Sequence, residues 1–206
     1  MRYKKSAISA AQIVSAATRA IARKGYVRTS LNDIAREAGM SKGAVHYHFP
    51  TKEALVAKVL ETACDAVAER TRLAWVGGGD NPFEALRAAV RELWAVRVSR
   101  SDEVAVVADL LAQALHDDAL RPQLAGYYQF ASAQTTEHLV TVLTSYGLRP
   151  KVRPELIPRL LLGLLDGLVL QVFVEPDAID PEELVQAVEL IAGALFEIGP
   201  PSGAQA

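Results

Sequence analysis

A single cysteine, Cys64, among 206 residues excludes an intrachain disulfide and any thiolate metal cluster. A reducing cytoplasm fits that scarcity. Histidine is nearly as rare: His46, His48, His116 and His138 make up the set, and none forms a metal spacing such as HExxH. His46 and His48 stand two apart, on different faces of a helix, so they cannot chelate one ion as a helical pair. The chain has no Gly-rich phosphate loop and no nucleophile elbow. These absences argue against an enzyme, and no metal or cofactor is expected. Charged residues reach only 22%, while half of all residues are apolar, which suits a buried core and not disorder. The basic N-terminus lacks the continuous apolar run of a secretory signal.

The few charges present are segregated. Residues 1–52 hold ten Lys/Arg against two acids, Asp33 and Glu37, for +8. Residues 53–206 hold twelve against twenty-two, for −10. A basic head on an acidic body is the pattern expected when only the head meets a polyanion.

Within the head, Ser30 to Phe49 reads as two short helices and a tight turn. Ser30 and Asp33 form a capping box, so a helix starts at Leu31. Gly39 supplies its left-handed C′ residue, and Ser41 caps a second helix over about Lys42–His48. Helix, Gly-containing turn and helix make the helix-turn-helix unit that places its second helix in the DNA major groove. Ser9–Lys24 is a supporting helix with Ile13, Ala17, Ala20 and Ile21 on one face, closed by Gly25. Residues 1–6 read as a loosely ordered basic arm. Pro50 stops the recognition helix, and Thr51 can cap the next.

That next helix runs from Lys52 towards Trp75 and spans roughly 35 Å, long enough to join a DNA-reading head to a separate body. Helices follow after Pro82, over about 102–115, over about 121–146, and then as a last pair over 154–174 and 181–198. The fold class is therefore all-α, with about nine helices. A three-helix DNA-binding domain occupies 1–51 (core 9–49), a second helical domain for dimerisation 52–198, and a disordered tail 199–206.

The segment 156–174 is apolar on nearly all sides and long enough to span a bilayer. Arg159 and Asp166 inside it would be costly in hydrocarbon, so burial against a second copy is the better reading. Gly163, Leu164, Gly167 and Leu168, with Val188, Ile191 and Leu195 of the last helix, form the expected dimer interface. No membrane partner is expected.

The run AIARKGY (20–26) followed by TSLNDIAREAGMSKGAVHYHFPTKEAL (29–55) resembles the TetR family of bacterial transcriptional regulators. The likeness covers about a quarter of the chain, through Gly25-Tyr26, Thr29, Ile34-Ala35, Ala38-Gly39, Ser41-Lys42-Gly43, His48-Phe49 and Lys52. It implies a cytoplasmic α-helical homodimer, a palindromic operator in double-stranded DNA, a small-molecule pocket in each body, and repression relieved by an inducer. One departure stands out. His46 lies where the family usually has Tyr, so the phosphate contact of that Tyr passes to His46 or Tyr47.

Roles follow from residue type and place. Thr29, Ser30 and Lys52, at helix starts, are candidate phosphate ligands, and the resemblance singles out Lys52. Ser41, Lys42, Gly43 and Ala44 form the leading turn of the recognition helix, where Lys42 could reach a guanine edge and Ala44 a thymine methyl. Tyr47 and His48 fit backbone contacts. Pocket candidates are Tyr127, Phe130, Gln134 and Thr135 on the long mixed helix, with Trp94, Asp166 and Gln171. Asp166 could instead pair with an arginine across the dimer. The expected ligand is largely apolar and uncharged or weakly cationic. A helix-turn-helix regulator controlled by a protein partner stays open as the alternative.

Overall fold

The computed structural model describes residues 2–79, 81–137 and 147–198. Among them the chain forms nine helices and one short strand pair. The helices are α1 (Arg2–Lys24), α2 (Leu31–Glu37), α3 (Lys42–His48), α4 (Lys52–Gly77), α5 (Pro82–Val98), α6 (Asp102–Ala114), α7 (Arg121–Thr135), α8 (Leu156–Val174) and α9 (Pro181–Leu195). Strands β1 (Leu148–Pro150) and β2 (Phe196–Ile198) pair antiparallel, with Arg149 opposite Glu197. The all-α expectation holds, because hydroxyl, amide and carboxylate caps set the helix starts. Ser30, Ser41, Thr51, Asn81, Ser101 and Asp180 each accept a backbone N–H in the first turn that follows them.

Boundaries differ from the sequence reading in three places. Helix α1 begins at Arg2, not near Ser9, since nothing in Arg2–Ile8 breaks a helix. The last helix stops at Leu195, where Phe196 turns inward, Glu197 stays exposed and the chain continues as β2. Of the helix expected over 121–146, the part from 138 onward lies outside the described residues, as does the tail 199–206.

Packing divides the chain into two units, residues 1–64 with 100–127 and residues 65–99 with 128–206. The first contains α1–α3, the start of α4, α6 and the start of α7. Its core joins Ile13, Ala17 and Ile21 of α1 to Ile34 of α2, Val45 of α3, Leu55 and Leu60 of α4, and Val106 and Leu110 of α6. Each of the Ile, Leu and Val side chains among them contributes about 1.5–3 kcal/mol on full burial. The boundary thus falls within α4 and α7, whereas a motif-based boundary falls at residue 51. Helix α6 belongs with the head.

In the second unit α5 packs on α8 and α9. Leu86, Val90, Leu93 and Trp94 meet Ile157, Leu165, Leu184, Val185 and Phe196 there. Gly78 marks a tight approach in this unit, since a Cβ on it would lie 2.4 Å from the Ala85 Cα. Gly78→Ala is expected to cost about 1–3 kcal/mol in urea melts by forcing backbone apart. Gly126→Ala, on the α7 surface with open space around it, should be neutral or stabilising.

Candidate nucleic-acid interface

Two left-handed glycines and two serine caps build the two-helix unit. Gly25 (φ 80°) and Gly39 (φ 65°) end α1 and α2. Ser30 accepts the Asp33 N–H at 3.2 Å, and the Asp33 carboxylate accepts the Ser30 N–H at 3.0 Å. That carboxylate also takes Lys24 at 3.0 Å, and Glu37 takes Arg19 at 3.1 Å and Arg23 at 2.7 Å. Both acids of the basic head are therefore spent on fastening α2 to α1. Residues 1–52 contain no further carboxylate to meet the remaining positive charge.

The Ser30 hydroxyl first, then Lys24, hold the Asp33 carboxyl well below the usual carboxylate range. A depressed folded pKa contributes stability in full above the unfolded value of 3.8, and that contribution is lost as pH falls through it. Asp33→Asn should therefore flatten the acid limb of the melting profile between about pH 5 and pH 2. Ser30→Ala, which removes the cap, should lower stability by about 1 kcal/mol in denaturant melts at pH 7.

Val45 is fully buried and pins α3 to the core, so the opposite face of this helix is open. Lys42, Gly43, His46 and Tyr47 are exposed there, Tyr47 at 79%. Ala44 and His48 are half-buried, and the His48 ring meets Tyr47 edge-on at 5.2 Å. Ser41 and Ser30 are exposed with their hydroxyls engaged as caps. A cation, a bare backbone position and two rings on one short helix can meet phosphates and base edges together.

Thr29 corrects one expectation. It is only 1% exposed, its hydroxyl donates to the Gly25 carbonyl at 2.8 Å, and its N–H donates to the Tyr26 carbonyl. Neither group is left for a phosphate. Thr29 instead closes the α1–α2 loop.

Lys52 is half-buried, and its ammonium sits 3.7 Å from the centre of the Tyr26 ring while donating to the Tyr26 carbonyl. Burial lowers its pKa, and the carboxylates of Glu53, Asp109 and Asp117 oppose that shift. Burial, then the Glu53 charge, pushes the Tyr26 hydroxyl up to about 12, so it stays protonated. Tyr26 stood in the sequence motif without a role. Its importance comes from contacts 26 and 83 residues away, which no local pattern carries.

The other residues singled out from sequence divide between the two units. Trp94 is buried in the second unit's core, whereas Tyr127 packs against the core of the first. Phe130, Gln134 and Thr135 are half-buried, the Thr135 hydroxyl donating to the Ala131 carbonyl at 2.9 Å, and Gln171 is exposed. Asp166 pairs with Arg97 of its own chain at 2.9 Å. The Tyr128 hydroxyl also reaches Asp166, at 3.3 Å. Burial and the neighbouring Asp166 raise Tyr128 to about 12.

On α8, Gly163 and Gly167 are exposed with no atom within 4 Å of where a Cβ would stand, and Leu164 and Leu168 are half-buried. Ile191 is 43% exposed on α9 and Leu195 half-buried, but Val188 is turned into its own core at 5%. Leu160, Leu170 and Val174 complete the open α8 stripe at 44, 60 and 87% exposure, and Leu190 on α9 is 76% exposed. Their spacing of three and four from the glycines was readable as one face. Helix α8 is long and apolar enough to cross a membrane by length and composition.

Two family models match. "Bacterial regulatory proteins, tetR family" covers residues 13–59, and "BetI-type transcriptional repressor, C-terminal" covers residues 82–197. The HTH-type transcriptional regulator TtgR of Pseudomonas putida is 46% identical over 52 residues, 25% of each chain. The match thus spans about a quarter of that relative's length. A Mesorhizobium loti protein assigned to the TetR family shares the fold at TM-score 0.71 and 26% identity, over 92% of this chain and 95% of that one. FadR of Bacillus subtilis, solved in complex with stearoyl-CoA, does so at TM-score 0.68 and 19% identity, over 87% and 95%.

Proposed function

The chain belongs to the TetR family of bacterial regulatory proteins, and from that premise we propose a cytoplasmic repressor that binds a palindromic operator as a homodimer and is released by a small, largely apolar molecule. It is a DNA-binding transcriptional regulator by family. The observation that carries the finer reading is the outward face of α3 on a head of net charge +8 whose two acids are both paired internally. Lys42, Gly43 and Ala44 would address base edges; His46, Tyr47, His48 and Lys52 would address phosphates, with Ser30 and Ser41 holding the helix starts that present them.

The dimer rests on the open stripe of α8 and α9, where Leu170 and Leu190 are too exposed for a lone subunit and Gly163 and Gly167 admit a close neighbour. The ligand would enter the second unit. Arg97 and Asp166 neutralise one another there, and the Ser132 hydroxyl is buried with no hydrogen-bond partner among the described residues. An apolar molecule with one or two polar atoms suits such a lining better than a small polar anion. The stearoyl-CoA of the Bacillus subtilis neighbour gives one precedent for an apolar chain in this fold. Bound ligand would shift the spacing of the two α3 helices only by its differential affinity for the two spacings.

Fluorescence anisotropy on a labelled duplex tests the DNA half. Six or more phosphate contacts over two heads predict a loss of about 10³ in affinity between 50 and 200 mM salt. Affinity insensitive to salt would remove the basis of the reading. For the ligand half, isothermal titration should favour apolar compounds, and preference for a small polar anion would count against it.

A further inference from the structure

Tyr26 makes four contacts to α4 and α6 that the DNA-reading face does not by itself require. Its N–H donates to the Asp109 carboxylate on α6 at 2.5 Å. Its carbonyl accepts from the Lys52 ammonium, and its ring lies 3.7 Å beneath that ammonium. Its hydroxyl points to Glu53, 3.5 Å away, at the start of α4. One residue thus joins the α1–α2 loop, the first turn of α4 and the middle of α6, all within the first unit. The same Asp109 oxygen lies 3.6 Å from where a Gly25 Cβ would stand, so the carboxylate sits directly on the left-handed turn.

We infer that Asp109 is a positioning residue for DNA binding: by holding the Tyr26 N–H it steadies the ring that, with the Tyr26 carbonyl, aims Lys52 at a phosphate. This rests on the reading of Lys52 as a phosphate ligand. An ammonium has three donors. One is spent on the Tyr26 carbonyl, and the ring fixes the approach, so the remaining N–H groups keep one direction instead of sweeping a cone. A lysine ordered before binding loses less side-chain entropy when the phosphate arrives. The N–H lies in the Gly25–Tyr26 peptide and the carbonyl in the next one, which the Thr29 N–H also holds, so losing the Asp109 acceptor would free the backbone that carries the ring while the carbonyl keeps its Thr29 anchor.

Charge alone predicts the opposite. Removing an acid from the head should tighten DNA binding, so geometry and charge are separable by the choice of variant. The probe is a duplex recovered by selecting wild-type protein on a random-sequence library. Asp109→Asn removes the charge but keeps an oxygen acceptor, and should bind at least as tightly as wild type. Asp109→Ala removes both and should bind about tenfold more weakly, with a shallower dependence on salt that matches Lys52→Ala in direction. In a Lys52→Ala background the Asp109→Ala loss should shrink to twofold or less, roughly the coupling expected of one shared contact. Asp109→Ala binding as tightly as Asp109→Asn, or losses that simply multiply, would overturn the assignment. If Asp109→Ala loses helix content, amide exchange in the wild-type protein decides: the Tyr26 N–H must be protected, and exchange as fast as an open loop overturns it. Wild-type protein that enriches no duplex overturns the DNA reading itself, a distinct failure.

Discussion

Leu170→Glu is expected to turn the proposed dimer into a folded monomer. The side chain is 60% exposed on α8, so a carboxylate there costs the isolated subunit almost nothing. Across a two-fold axis the same residue meets its own copy or that copy's neighbours, and two carboxylates would be pressed into an apolar seam beside Gly167. Sedimentation should move from about twice 22.2 kDa to that mass, with unchanged helical circular dichroism. Operator affinity should fall by about 10² or more, because two linked heads gain an effective concentration that one head lacks. A variant that stays dimeric would remove α8 from the interface. Wild-type protein found in the membrane fraction would give the stripe a different occupant.

The second large effect is expected at the pair buried in the body. Asp166→Ala leaves Arg97, whose side chain is 10% exposed, without its carboxylate. A stranded buried charge usually costs 3–5 kcal/mol; the 26% exposure of Asp166 lets water offset part, so about 2–3 kcal/mol is expected. That corresponds to a fall in Tm of roughly 5–10 °C for a chain of this size. Asp166→Asn keeps an acceptor for Arg97 and for the Tyr128 hydroxyl, and should lose about half as much. Replacing both partners, Arg97→Met with Asp166→Leu, should be milder than Asp166→Ala alone. Equal losses from all three would mean that the charge of Arg97 is already met by water. Ligand response in the double variant then reports whether the polar cluster orients the inducer.

Local punctuation made most helices legible. Gly25, Ser30, Gly39, Ser41 and Thr51 each act on their own neighbours within four residues, so the sequence carries their full meaning. Helix α6 shows the limit. Val106 and Leu110 announce an apolar face but not its partner, and that partner proves to be the head. Thr29 shows another: its place before α2 suggested a phosphate ligand, but its side chain turns back to the Gly25 carbonyl. On α9 one step of the helix separates Val188, in the core, from Ile191, in solvent, and apolar spacing alone does not say which side meets what. The three-residue pairing of β1 with β2 has no periodic signature at all. Tyr127 and Tyr128 show a further limit, since they are adjacent in sequence yet fall in different units.

Enrichment of duplexes from a random-sequence library by the purified protein tests the central claim most directly. The account predicts an inverted repeat whose half-site centres lie about one helical turn apart, or a multiple of it. Guanine or thymine should be prominent where Lys42 and Ala44 reach. Recovery of a single unrepeated site, or no enrichment over the input library, would contradict it.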